Sequence, residues 1–161
     1  MVLAVYAGTF DPVTKGHMDI VERAAAMFDR LIVGVFDTPS KTVLFSTEER
    51  MRFLQRTVRN ISNVEVRAYG GLTVDFAHEL GGTAMVRGLR SITDLDYEAA
   101  MVMMNRRLRP HIDTIFLYTS LEYQFVSSSL IKEVARYGGD IKDLVPQDVA
   151  AALQEKFHIA I

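Results

Sequence analysis

The chain has 161 residues, 49% hydrophobic and 24% charged, an ordinary globular composition that fills about one domain at ~150 residues per domain. Its 18 basic and 20 acidic residues leave a formal charge of −2, so no basic surplus exists to hold a run of nucleic-acid phosphates or an anionic membrane surface. The absence of cysteine excludes disulfides, thiolate metal sites and cysteine nucleophiles, and the uncharged stretch Met1 to Phe10 has neither a basic leader nor the length of a membrane span; a cytoplasmic protein is expected.

Met1 to Ala7 (MVLAVYA) is a short apolar run stopped by Gly8 and reads as a first strand. A helical pattern follows over Met18 to Phe28, then a second apolar run, Leu31 to Phe36 (LIVGVF). Apolarity that is continuous rather than alternating predicts strands covered on both faces. Ser46-Thr47-Glu48-Glu49 fits a capping box and predicts a helix over Thr47 to Val58. Weaker strands at Val64 to Ala68, Ala84 to Val86 and Thr114 to Tyr118 alternate with helices over Thr73 to Leu80 and Asp94 to Leu108. Ser128 to Tyr137 and Pro146 to Phe157 read as two closing helices, the second with its proline in the first turn. This alternation predicts a parallel α/β sheet with helices on both faces, in one domain over residues 1–161.

In such a sheet, ligands bind beyond the carboxyl ends of the strands, where strand order reverses. That rule selects the loops after the predicted strands. Neither GxxxxGK(S/T) nor GxGxxG occurs, so the P-loop and the usual dinucleotide fingerprint are both missing. The first loop instead reads Gly8-Thr9-Phe10-Asp11-Pro12-Val13-Thr14-Lys15-Gly16-His17 and runs into a helix. Glycines admit close backbone approach, and a helix start offers free amides to a phosphate. Lys41 lies after the second strand, and Arg87-Gly88-Leu89-Arg90 after the fourth could clamp separate phosphates. Three serines, Ser127 to Ser129, open the next helix, and N-capping explains only one of them. The four histidines are scattered and show no metal-binding spacing. Met101, Met103 and Met104 crowd one turn, a pattern of core filling or of a subunit contact.

The ten-residue string GTFDPVTKGH resembles the signature of the nucleotidyltransferase superfamily, whose T/HxGH element stands here as Thr14-Lys15-Gly16-His17. Taken in order with TPSK, STEER, RGLR, DYE and SSSLIKEVAR, it is similar to the bacterial phosphopantetheine adenylyltransferase family over nearly the entire chain. Two departures stand out: Ala7 where members often have proline, and Asp94-Leu95-Asp96-Tyr97-Glu98 where they often read DFEYE. The resemblance implies a Rossmann-like five-stranded parallel sheet of order 3-2-1-4-5 and a homohexamer. It implies adenylyl transfer from ATP to 4′-phosphopantetheine, with Mg²⁺ bound mainly through the ATP phosphates and no metal ligands from the chain. It places Thr9, Lys41, Thr73 and Arg87 on the acceptor. Thr9, Phe10, His17, Gly88, Leu89, Arg90, Glu98, Tyr123, Gln124, Phe125, Val126, Ser127, Ser128 and Ser129 fall to ATP, with His17, Lys41 and Arg90 catalytic. Sister enzymes with the same signature, such as nicotinamide mononucleotide adenylyltransferase or a cytidylyltransferase, and a module that binds ATP without turnover, are the alternatives.

Overall fold

The computed structural model describes residues 1–158. Its apolar runs become the strands β1 (Leu3–Gly8), β2 (Arg30–Phe36), β3 (Val64–Tyr69), β4 (Ala84–Leu89) and β5 (Asp113–Tyr118). They form one sheet in the order β3-β2-β1-β4-β5, and every pairing is parallel. The order is therefore the 3-2-1-4-5 that the sequence resemblance implies.

The helices are α1 (Lys15–Met27), α2 (Thr47–Val58), α3 (Thr73–Glu79), α4 (Ile92–Leu108), α5 (Ser128–Arg136) and α6 (Gln147–Phe157). Successive residues of β1 serve opposite faces. Ala4 and Tyr6 join a core with Ile20 of α1, Leu54 of α2, Ile131 of α5 and Leu153 of α6, whereas Leu3, Val5 and Ala7 pack with Val74 and Phe76 of α3. A central strand wetted on neither face has no use for alternating polarity, which is why it reads as a continuous apolar run.

Four details differ from the sequence reading. Helix α1 begins at Lys15 rather than Met18, because Thr14 caps it and His17 occupies the third helical position. Strand β4 runs on to Leu89, so Arg87 and Gly88 stand within a strand, paired to Phe116 and Leu117, rather than after it. Pro146 is the N-cap of α6 rather than a first-turn residue. None of the side chains of α4 is buried; Met101, Met103 and Met104 are exposed rather than core filling, Met103 by 75%. Strand order reverses between β1 and β4, and their carboxyl ends open the crevice that contains the site.

Candidate active site

A cavity of about 670 Å³ lies at that crevice, walled by the ends of β1 and β4, the starts of α1, α4 and α5, and the loop carrying Lys41. Gly8 closes β1, and a Cβ there would stand 3.2 Å from the Phe10 ring. The space is needed because Phe10, at a left-handed φ of 50°, folds its buried ring back between Tyr6 and His17.

His17 is fixed from three sides. The Thr14 amide donates to Nδ1 at 3.0 Å, the Thr14 hydroxyl oxygen accepts from the His17 amide at 3.3 Å, and the edge of Phe10 meets the imidazole at 5.0 Å between centroids. Because Nδ1 accepts, the proton of the neutral ring resides on Nε2, which makes the ring a donor there. Burial, reinforced by the charges of Arg90, Arg87 and Lys41, pushes its pKa down to about 4. His17 is thus an uncharged donor at neutral pH. Between its ordinary value of 6.5 and about 4, the unfolded chain binds the proton and the native site does not, so this group contributes stability that is lost as pH falls through that window. Nitrogen-15 NMR of the ligand-free protein should show the Nε2–H tautomer and a His17 midpoint near 4. A midpoint at the ordinary histidine value would contradict the arrangement.

Arg87 and Glu98 form a bidentate pair, with Nε and Nη2 donating to the two carboxylate oxygens at 3.0 and 2.6 Å, while Nη1 donates to the Ala7 carbonyl at 3.0 Å. Arg90 is held less tightly. Its amide donates to Asp94 at 2.8 Å, its Nε lies 3.5 Å from the same carboxylate, and Nη1 reaches the Val126 carbonyl at 3.3 Å. Both carboxylates of the wall, Asp94 and Glu98, are therefore engaged by arginines. Lys41 also lines the wall, and among the described residues no carboxylate pairs with it. With the two ion pairs balanced, Lys41 leaves the wall with a net positive charge, which attracts anions.

The three serines divide their work. Ser127 caps α5 through the Leu130 amide at 3.1 Å, and Ser128 donates to the Pro12 carbonyl at 2.7 Å, fastening α5 to the signature loop. Ser129 is exposed in the same wall, beside the helix start, where amides have no partner within the helix.

The cytidylyltransferase-like family model matches residues 5–134. Curated relatives named phosphopantetheine adenylyltransferase match almost end to end: one from Heliobacterium modesticaldum is 49% identical, covering 98% of this chain and 94% of its own length, and one from Desulforudis audaxviator is 48% identical over 98% and 96%. A third, from Lachnoclostridium phytofermentans, is 47% identical over 98% and 97%. The chain belongs to this family. A solved structure from Vibrio parahaemolyticus, assigned provisionally as a nicotinate-nucleotide adenylyltransferase, superposes with a TM-score of 0.74 over 95% of this chain and 99% of its own at 16% identity. It shares the fold.

Among the residues expected at the site, the cavity wall brings together Phe10, His17, Lys41, Arg87, Gly88, Arg90, Glu98 and Val126 through Ser129. Thr9, Leu89, Thr73 and the segment Tyr123 to Phe125 stand outside that wall. Leu89 is buried, the Thr9 carbonyl accepts from Arg50 at 2.7 Å, and the Thr73 hydroxyl is shared with Tyr69 at 2.9 Å. Sequence reasoning missed the buried Asp11, whose carboxylate accepts the Leu44 and Phe45 amides and pairs with Lys132 at 2.7 Å. It also missed Arg50. Charged residues default to the surface in a single sequence, so nothing marked these as internal.

Proposed function

We propose that the protein transfers the adenylyl group of ATP to 4′-phosphopantetheine, giving dephospho-CoA and pyrophosphate, the penultimate step of coenzyme A biosynthesis. The observation that carries this reading is a neutral histidine donor set among Lys41, Arg87 and Arg90 in one cavity, in a chain whose relatives of that name match it nearly end to end.

The acceptor phosphate is a monoester with a second pKa of about 6, so it is mostly dianionic at neutral pH and needs no general base. One of its oxygens bonds to the α-phosphorus while the bond from that phosphorus to the bridging oxygen breaks. Pyrophosphate leaves with that oxygen and its electron pair. Catalysis then consists of in-line placement and of donors to the charge that develops on the non-bridging oxygens. His17 Nε2–H supplies the donor, and Lys41 spans the acceptor phosphate and the α-phosphate. Thr9, Thr73 and Arg87 hold the acceptor, with Glu98 orienting Arg87. Arg90, Ser129 and the α5 amides receive the β- and γ-phosphates, and the rest of the ATP set, Phe10, Gly88, Leu89 and Tyr123 through Ser128, shapes the nucleotide side. With both carboxylates of the wall engaged by arginines, Mg²⁺ would be held through the phosphates of bound ATP rather than by side chains of the wall, and would supply charge neutralisation to the leaving pyrophosphate.

Purified protein incubated with ATP and each of 4′-phosphopantetheine and nicotinamide mononucleotide, and with CTP in place of ATP, tests the reading. Rapid pyrophosphate release is expected only from ATP with phosphopantetheine. Equal or faster turnover with nicotinamide mononucleotide would move the assignment to the sister enzymes, and no release with any pair would favour a binding module.

No helix of the described residues is long and apolar enough to cross a membrane, and the substrates place the reaction in the cytoplasm. The α4 face, with Tyr97 83% and Ile92 74% exposed, is more apolar surface than a lone chain usually shows water. Further copies of the chain cover it in a homohexamer. Light scattering should give about six times 18.1 kDa, and a monomer that persists at all concentrations would refute the assembly.

A further inference from the structure

Arg50, the last residue of the STEER segment, is 1% exposed. Its guanidinium donates to oxygens alone. Nη1 bonds the carbonyls of Thr9 at 2.7 Å and Phe36 at 2.9 Å, Nε bonds the Phe45 carbonyl at 3.1 Å, and Nη2 bonds the Thr47 hydroxyl at 2.9 Å. Phe36 ends β2 and Phe45 comes just before α2; the loop between them carries Lys41. One guanidinium therefore draws both ends of that loop together and ties them to Thr9 in the signature loop. The Phe45 amide is held from its other side by Asp11 Oδ1 at 2.9 Å, and the Thr47 hydroxyl donates to Asp37 Oδ1 at 2.7 Å.

A well-packed apolar side chain would serve core stability as well as a buried cation, which carries a desolvation penalty. What the cation adds is a rigid fork reaching several carbonyls at once. Lys41 has no carboxylate partner among the described residues, so its place over the cavity is set by the neck of its own loop.

We propose that Arg50 is a positioning residue for the acceptor side, holding Lys41 in place by closing the neck of its loop and anchoring that neck to the Thr9 carbonyl. The proposal rests on the reading of Lys41 as an acceptor-side residue.

Arg50→Lys keeps the charge and loses the fork. It should lower kcat/KM for phosphopantetheine at least about tenfold, with ATP affinity kept within about twofold, since an ångström of misplacement can cost roughly a hundredfold. In a Lys41→Ala background the same substitution should add less than about twofold, because Arg50 acts through Lys41. Amides of residues 37–44 should exchange faster in Arg50→Lys, with the strands unchanged. An equal loss in both backgrounds, or a parallel fall in ATP affinity, would overturn the proposal. Should Arg50→Lys fail to fold, Thr47→Val, which removes the hydroxyl shared by Arg50 and Asp37, goes through the same cycle, with non-additivity expected and additivity overturning. If the wild-type chain releases no pyrophosphate with phosphopantetheine, the proposed function falls separately. Exchange over residues 37–44 then decides whether Arg50 fixes the loop, and unchanged exchange overturns it.

Discussion

His17→Ala should turn over at least about a hundredfold more slowly than the wild-type chain while binding ATP within several-fold of normal, the pattern left by removing one preorganised transition-state donor. The capping box of α1 sets the tautomer of His17. Thr14 occupies Nδ1, which leaves Nε2–H as the ring's donor, and burial, reinforced by the surrounding cations, keeps the ring neutral. In the proposed arrangement a neutral donor contributes little to holding a triphosphate that Arg90 and the α5 amides receive. Its contribution grows only as charge develops at the α-phosphate, so it enters kcat. Alanine also leaves the Thr14 amide without its side-chain acceptor, a loss of about 1 kcal/mol by comparison with capping deletions. Melting should therefore shift modestly, without unfolding. Near-normal kcat with a large rise in the KM for ATP would make His17 a binding residue and overturn the mechanism.

Neutral substitutions of Lys41 and Arg87 should weaken the acceptor and the chemical step more than they weaken ATP, and the two variants should differ in stability. Lys41→Ala removes a side chain with no carboxylate partner among the described residues, so its melting temperature should match that of the wild-type chain. Arg87→Ala strips both hydrogen bonds from the Glu98 carboxylate, whose side chain is 13% exposed, and one from the Ala7 carbonyl. A carboxylate left largely buried without its partner is destabilising, so this variant should melt earlier as well as react more slowly. Calorimetric titration of ATP and of phosphopantetheine into each variant checks the split. Lost ATP affinity with normal acceptor affinity would reverse the assignment of these two residues.

The strands were legible because a doubly covered sheet needs continuous apolar segments, and LIVGVF can hardly be anything else. Helix α2 was legible from its cap, since Ser46 and Glu49 satisfy each other's amides in the usual capping-box pairing. The same device at α1 went unread because histidine, not glutamate or glutamine, takes the third helical position opposite Thr14. In the proposed mechanism the same histidine is the donor to the α-phosphate. In the serine run one N-cap was legible, and Ser127 provides it through the Leu130 amide; the bond from Ser128 to the Pro12 carbonyl joins segments far apart in the chain, which a linear sequence does not bring together. Arg50 and Asp11 were invisible for a related reason. Their roles depend on carbonyls and amides from the signature loop and the Lys41 loop, and a linear sequence does not say which of its charges fold inward. Met101, Met103 and Met104 of α4 show the opposite case: core filling and a subunit contact call for the same apolar residues, and only the fold shows that these three are exposed.

The most direct test of the central claim follows the oxygen atoms. Phosphopantetheine carrying oxygen-18 at every non-bridging position of its phosphate is incubated with ATP, magnesium and the purified chain, and the products are weighed by mass spectrometry. Attack of the acceptor phosphate on the α-phosphorus predicts dephospho-CoA that retains all of the label, one labelled oxygen now bridging the two phosphorus atoms, together with unlabelled pyrophosphate. Label in the pyrophosphate, or no dephospho-CoA at all, would contradict the account.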